Sequence, residues 1–379
     1  MQMLKSRYTT TRLEETAGFD MMMGGFQRAC HATGGVLTQY LKIGEFVVCL
    51  KFAGKGLIPY LGPALEHLHF SPDSVQQGTD GKVDIASEPD LTICLWDSTS
   101  TETAPTPLIS WLLQSIERYP FKQLSPRQEI KLLSNPRIPA SYTIGSNVFS
   151  MLDTKKNIAL YWVNDATKLP YHEQGAPMRT IFNWWLSSRD YQCVHAGAVG
   201  TAEGGVLLTG KGGSGKSTSA LSCLDADLLY ASDDYCIFKN EPQPYVYSLY
   251  NTAKLNGVVD LQRQPKFLPM IHNPEKAGQE KLMLFLSRSM PEKLLPSFPL
   301  KAVLLPFVSG KPKTKLSPIS SGTALKALAP TSMLQLPGAA QKSFKNMAKL
   351  VRQLPCYRLE LGTNIKAIPD TILELLAKS

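Results

Sequence analysis

The residues predict an α/β fold: a larger C-terminal domain wound around a buried sheet, preceded by a smaller α+β N-terminal domain. Three observations carry this expectation. After about residue 140, apolar runs of strand length alternate with segments of helical spacing. Residues 118–140 are polar and carry Pro120, Pro126, Pro136 and Pro139, so they read as a linker between domains 1–140 and 141–379. Gly210 to Ser217 form a glycine-rich octapeptide between a short apolar run and a helical start.

The elements follow in chain order. Glu45 to Phe52 and Asp90 to Trp96 read as strands, and Pro107 to Glu117 as a helix with Leu108, Trp111, Leu112 and Ile116 on its apolar side. Ile158 to Val163 is a strand. Pro177 suits the first turn of a helix reaching about Ser188. Cys193 to Val199 reads as one strand, and Ala202 to Gly205 turn the chain into the strand before the octapeptide. Leu228 to Tyr230 and Tyr235 to Phe238 flank an acidic pair. Ala302 to Phe307 and Leu359 to Leu361 are further strands, and Pro369 to Leu376 opens a closing helix. From Gln341 to Leu354, Phe344, Met347, Val351 and Leu354 recur at helical spacing, with Lys342, Lys345, Lys349 and Arg352 on another face. That face reads as solvated; docking of an acidic partner or a second phosphate is the alternative.

Composition narrows the class. The chain has 379 residues, 43% hydrophobic and 19% charged, which describes a folded protein with a sizeable core. Its net charge of +9 suits anionic ligands, but the basic residues are spread widely, so no nucleic-acid partner is expected. Met1 to Gly18 lack the apolar core of a signal peptide, and no run of about 18 apolar residues occurs, so no membrane span is expected. The seven cysteines include no C-x-x-C pair and several stand in apolar runs, as Cys49 does; reduced thiols and a cytoplasmic location are expected.

The octapeptide Gly210-Lys211-Gly212-Gly213-Ser214-Gly215-Lys216-Ser217 fits G-x-x-x-x-G-K-[ST], the phosphate-cradling P-loop. Its backbone N–H groups, together with the helix start at Thr218, would surround a polyanion. In that pattern Lys216 reaches the β- and γ-phosphates of ATP, and the Ser217 hydroxyl sits on Mg²⁺. A partner carboxylate is needed at a strand end. Leu228-Leu229-Tyr230-Ala231-Ser232-Asp233-Asp234 supplies two, a dozen residues beyond Lys216. Side chains alternate along a strand, so one carboxylate faces the metal and the other an acceptor, whose hydroxyl proton it can take. His195, among small residues in the preceding strand, reads either as a core histidine or as a group beside the ligand. Lys254, Lys281 and Arg179 read as surface cations, with contact to phosphate or substrate as the alternative.

At these residues the chain resembles the HPr kinase/phosphorylase family: a His-containing strand (His195), a Gly-rich turn (Gly204-Gly205), the P-loop, an Ala-Leu helix (Ala220-Leu221) and an Asp-Asp strand end (Asp233-Asp234). The stretch covers about 45 residues. The resemblance implies an ATP-dependent serine kinase with a fold akin to phosphoenolpyruvate carboxykinase and permits a homo-oligomer. It implies that Asp233 is the general base, that Asp234 places Mg²⁺ with Ser217, and that His195 lies near the transferred phosphate. The family's second glycine-rich signature has no counterpart; Ser248 to Leu255 stand where it would follow. The expected activity is transfer of the γ-phosphate to a seryl or similar hydroxyl on a peptide, protein or small molecule. The alternative is a nucleotide-gated ATPase or binding module that controls a partner protein, and residues 1–140 are expected to recognise substrate or partner.

Overall fold

The computed structural model describes residues 15–71, 88–338 and 340–378, so most of the polar start, Met1 to Gly18, lies outside the described residues. The chain is a mixed α/β protein with several sheets, divided into two compact units. One comprises Met1–Gly62, His69–Glu173 and Met178–Trp185; the other comprises Pro63–Leu68, Gln174–Pro177 and Leu186–Ser379.

The first unit holds six strands: β1 (Val36–Ile43), β2 (Phe46–Ala53), β3 (Leu91–Asp97), β4 (Ala140–Thr143), β5 (Val148–Asp153) and β6 (Ile158–Val163). Their order is β1-β2-β3-β6-β5-β4, with β2, β3 and β6 parallel and the flanking pairs antiparallel. Helices Ala17–Ala32 and Pro107–Arg118 pack on this sheet, bringing Phe19, Met22, Leu108 and Leu112 against Trp96, Phe149 and Trp162. The second helix starts where the sequence places it. Pro107 fills the first turn, where its missing N–H costs nothing, and the Thr106 hydroxyl accepts the Ile109 N–H at 3.3 Å.

Residues 118–140 are not a linker. Leu124, Ile130, Leu133 and Ile138 are buried in this unit's core. The polar residues between them close turns: Ser125 Oγ accepts the N–H groups of Arg127 and Glu129. Strands β4 to β6 then complete the sheet, so the division between units falls near residue 185 and not 140.

The second unit holds β7 (Tyr191–Val194), β8 (Gly197–Thr201), β9 (Gly204–Leu208), β10 (Leu229–Ser232), β11 (Cys236–Lys239), β12 (Tyr245–Ser248), β13 (Thr252–Leu255), β14 (Leu282–Phe285), β15 (Ser297–Val308), β16 (Lys315–Pro318) and β17 (Cys356–Leu361). Nine of them form one sheet. Its path runs β10-β8-β9-β15-β12-β11-β7, with β17 beside β15 and β16 on β17, while β13 and β14 pair separately. The strand before the P-loop, β9, is parallel to β15, which is parallel to β17.

This sheet is covered on both faces, and β9 shows why its sequence is continuously apolar. Val206 and Leu208 pack with Ala220, Leu221, Ile368 and Ile372 of helices Lys216–Ser222 and Ala367–Leu376. Leu207 turns to the other face, among Ala324, Leu328, Met347 and Val351 of helices Ser321–Gln335 and Ala340–Gln353. The basic face of Ala340–Gln353 is solvated, with Lys342 and Lys349 in exposed ion pairs to Asp190 and Glu241.

One expected strand is two. Cys193 to Val199 break at His195-Ala196, because β7 pairs with β11 while β8 pairs with β9 and β10. Among the described residues, no helix is long and apolar enough to cross a membrane. None of the seven cysteines is in a disulfide; six are buried and Cys30 is half-buried.

Candidate active site

The P-loop joins β9 to helix Lys216–Ser222. Gly215, the residue before the helix, has φ +104, and a Cβ there would stand 2.3 Å from Leu361 Cδ1, so only glycine fits. Gly212 and Gly213 face open space: a Cβ on either would meet nothing within 4 Å. Lys216 is buried, and its ammonium donates to the carbonyls of Gly210 at 2.7 Å and Lys211 at 3.4 Å. Burial pushes its pKa down, while the charges of Asp233 and Asp234 pull it back up.

The acidic pair stands in the short link between β10 and β11. Asp233 is 2% exposed. Its Oδ2 accepts the Lys254 N–H at 2.9 Å, and its Oδ1 is buried without a hydrogen-bond partner. Burial pushes the Asp233 carboxyl above the usual carboxylate range and the charge of Asp234 adds to this; the Ser217 hydroxyl and the Lys254 N–H pull the other way. Asp234 is the opposite case. Its Oδ1 lies 2.7 Å from His195 Nε2 and its Oδ2 accepts from Lys254 Nζ at 2.5 Å. Burial acts against its charge, but the Lys254 ammonium and His195 together outweigh burial and hold this carboxyl well below its ordinary value. An ionised Asp234 fixes the imidazole proton on Nε2. The His195 backbone N–H donates to Ser332 Oγ at 3.0 Å, and Nδ1 is buried without a partner.

These groups share one cleft of about 170 Å³. From the P-loop it is lined by Gly212, Gly213, Gly215, Lys216, Ser217 and Thr218, and from the strand ends by His195, Asp233 and Asp234. Gly210 and Lys211 do not line it; their carbonyls hold Lys216. Ser214 also stands off the cleft, with Oγ buried and unpartnered. The Ser217 hydroxyl acts on Asp233, while the two oxygens of Asp234 face His195 Nε2 and the Lys254 ammonium.

Sequence reading placed Lys254 at the surface, whereas it is 6% exposed in the Asp234 ion pair. The structure supplies the missing signal: Thr252-Ala253-Lys254-Leu255 is a strand buried along its whole length, so its lysine needs an anionic partner. Lys281 does line the cleft, as do Asn256, Asp260 and Arg263, none of the last three carrying a local motif. Arg179 belongs to the first unit, where it pairs with Glu173 at 3.0 Å. Among the described residues, no three His, Cys, Asp or Glu side chains converge as a metal cluster.

No protein-family model matches the chain, and no curated protein matches it. Among solved structures it is similar to the Hpr(Ser) kinase/phosphatase from Coxiella burnetii, at 12% identity and a TM-score of 0.28, covering 49% of this chain and 95% of that one. The likeness is distant, and the chemistry of the cleft carries the functional reading.

Proposed function

We propose that the chain is an ATP-dependent phosphotransferase acting on a seryl or similar hydroxyl of a peptide, protein or small molecule. The observation that carries this reading is the unpartnered Asp233 carboxylate oxygen, buried in the same cleft as the open glycines and Lys216. A simple phosphate-binding loop has no use for such an oxygen; a proton-accepting centre does.

In the proposed reaction the acceptor oxygen bonds to the γ-phosphorus, the bond from that phosphorus to the β,γ-bridging oxygen breaks, and the acceptor's proton passes to Asp233 Oδ1. A carboxyl whose pKa is raised by burial is a stronger base than an exposed one, provided it is ionised when the acceptor arrives. Lys216 leaves the carbonyls of its own loop for phosphate oxygens, exchanging neutral acceptors for charged ones. Asp234 positions: it holds His195 and Lys254, and the Lys254 backbone N–H in turn orients Asp233. The Ser217 hydroxyl with the Asp233 carboxylate is a hard-oxygen set that fits Mg²⁺, which when bound would neutralise phosphate charge.

That nearness of Ser217 favours a second reading of the Asp233 carboxylate, as a metal-positioning group and not a base. The experiment is phosphate transfer from γ-labelled ATP to peptide and hydroxy-metabolite pools, with Asp233→Asn beside the natural chain. Lost transfer with Mg²⁺ affinity unchanged supports the base; transfer rescued by raised Mg²⁺ supports the metal role. Hydrolysis without a labelled acceptor would leave the nucleotide-gated module instead.

A further inference from the structure

The acidic pair of the cleft depends on a strand outside its own sheet. β10, which leads into Asp233 and Asp234, lies in the nine-stranded sheet. Among the described residues β13 pairs with β14 in a separate two-stranded sheet, so no ladder of backbone bonds sets it in register with β10. Yet Lys254 of β13 reaches Asp233 Oδ2 with its N–H at 2.9 Å and Asp234 Oδ2 with its ammonium at 2.5 Å. Such bonds extend to about 3.2 Å, so a shift well short of an ångström undoes them.

What holds β13 is its foot. Tyr230, in β10, is buried, and its hydroxyl donates to the Thr252 carbonyl at 2.7 Å, at the first residue of β13. Asn251, immediately before that strand, is buried and ties three segments together. Its N–H donates to the Ala64 carbonyl at 3.0 Å and its Nδ2 to the Pro63 carbonyl at 2.8 Å, while its own carbonyl accepts the Leu286 N–H at 3.2 Å, just past β14. In the same short helix, Pro63–Leu68, His67 Nε2 lies 2.8 Å from Ser248 Oγ at the end of β12. The link from β12 to β13 is thus pinned at both ends. Asn251 Oδ1 is buried without a partner, which costs stability, so the side chain is valuable for the direction of its bonds and not for its burial.

We propose that Tyr230 and Asn251 are positioning residues for phosphate transfer: they fix the foot of β13 and so the place of Lys254 against the acidic pair. The inference rests on the phosphate-transfer reading of the cleft. Neither residue lines that cleft, so neither acts by touching nucleotide or acceptor. Tyr230 fastens β13 to the strand that leads into the carboxylates; Asn251 fastens it to Pro63–Leu68 and to the end of β14. With either tie cut, Lys254 shifts, and Asp233 loses the N–H that orients it. The P-loop is held elsewhere, by β9 and helix Lys216–Ser222. The proton-accepting step therefore suffers, while nucleotide binding is spared.

Steady-state transfer of label from γ-labelled Mg-ATP to an acceptor that the natural chain modifies tests this, with the full chain, Tyr230→Phe and Tyr161→Phe side by side. Each variant loses one buried phenolic hydrogen bond, but Tyr161 bonds Glu173 in the first unit and serves as the control. Tyr230→Phe is expected to lower kcat by about tenfold to a hundredfold, with KM for ATP within about twofold of the natural chain. Tyr161→Phe is expected to keep both constants per folded molecule. A fall in kcat of less than about tenfold for Tyr230→Phe would overturn the positioning role. So would an equal fall in the control, which would mark lost stability and not lost placement. A fall in kcat accompanied by lost ATP affinity would overturn it too, since the P-loop would then be what had moved. A natural chain that binds Mg-ATP but labels no acceptor would remove the phosphate-transfer reading and this role together. Should Tyr230→Phe not fold, Asn251→Ala is judged by the same outcomes.

Discussion

Each unit buries a carboxylate, and the two are treated in opposite ways. In the first unit Glu173 is 3% exposed and well supplied with donors: Arg179 Nη1 at 3.0 Å, the Tyr161 hydroxyl at 2.9 Å and Ser146 Oγ at 3.3 Å. In the second, Asp233 is equally buried, keeps one oxygen unpartnered and has a second carboxylate as its chain neighbour. The first arrangement compensates a buried charge and fixes the packing around it. The second leaves a charge undercompensated, which costs stability and has value only where something arrives to use it. Burial alone is thus no mark of a site; the balance of partners is.

That contrast can be broken at several points, in decreasing order of effect. Lys216→Ala should lower phosphate transfer by about a thousandfold or more, because the charge it brings to the phosphates acts in a partly desolvated cleft. Transfer within tenfold of the natural chain would separate the P-loop from the chemistry. Asp233→Asn should cost about a hundredfold to ten-thousandfold in transfer. It should also raise the melting temperature near neutral pH. The sign follows from the raised carboxyl: its favourable contribution is complete below the unfolded pKa and is lost as pH rises through the folded value, so at neutral pH the ionised group is a burden that Asn removes. A lower melting temperature would contradict the undercompensated charge.

Glu173→Ala should do the reverse, destabilising by about 3–5 kcal/mol by stranding Arg179 without its anion, as read by denaturant unfolding, while leaving transfer per folded molecule unchanged. Asp234→Asn falls between, costing about 2–4 kcal/mol because it strands the buried Lys254 but removes a repulsive neighbour of Asp233. Its own pH dependence has the other sign. The stability Asp234 contributes is present above the usual carboxylate pKa and is lost as pH falls through its depressed folded value. The smallest effect is expected for Tyr161→Phe, about 1 kcal/mol from one hydrogen bond to Glu173.

Sequence reading reached what is local. The P-loop is a contiguous pattern whose glycines and lysine must be neighbours in the chain, and the Asp pair follows at the distance one helix and one return strand require. It missed what is set by pairing between distant segments. Lys254 looks like a surface lysine until β13 is seen to be buried and aimed at Asp234. From sequence His195 reads either as a core residue or as a ligand-side residue; it is buried and also lines the cleft, at a strand break invisible in an unbroken apolar run. The prolines of residues 118–140 suggested a linker because turn chemistry and linker chemistry use the same residues; what distinguishes them is the burial of Leu124, Ile130, Leu133 and Ile138 between the turns. Alternation along a strand likewise cannot say which carboxylate a remote cation will face, and it is Asp234 that Lys254 pairs with.

The central claim is that Asp233 completes a phosphate-transfer centre and not merely a phosphate-binding one. The most direct measurement pairs two readouts on Asp233→Asn: Mg-ATP affinity by calorimetry, and label transferred from γ-labelled ATP to an acceptor that the natural chain modifies. The expected result is nucleotide affinity within a few fold of the natural chain with transfer down by at least a hundredfold. Transfer at the natural rate with Asn at that position would contradict it.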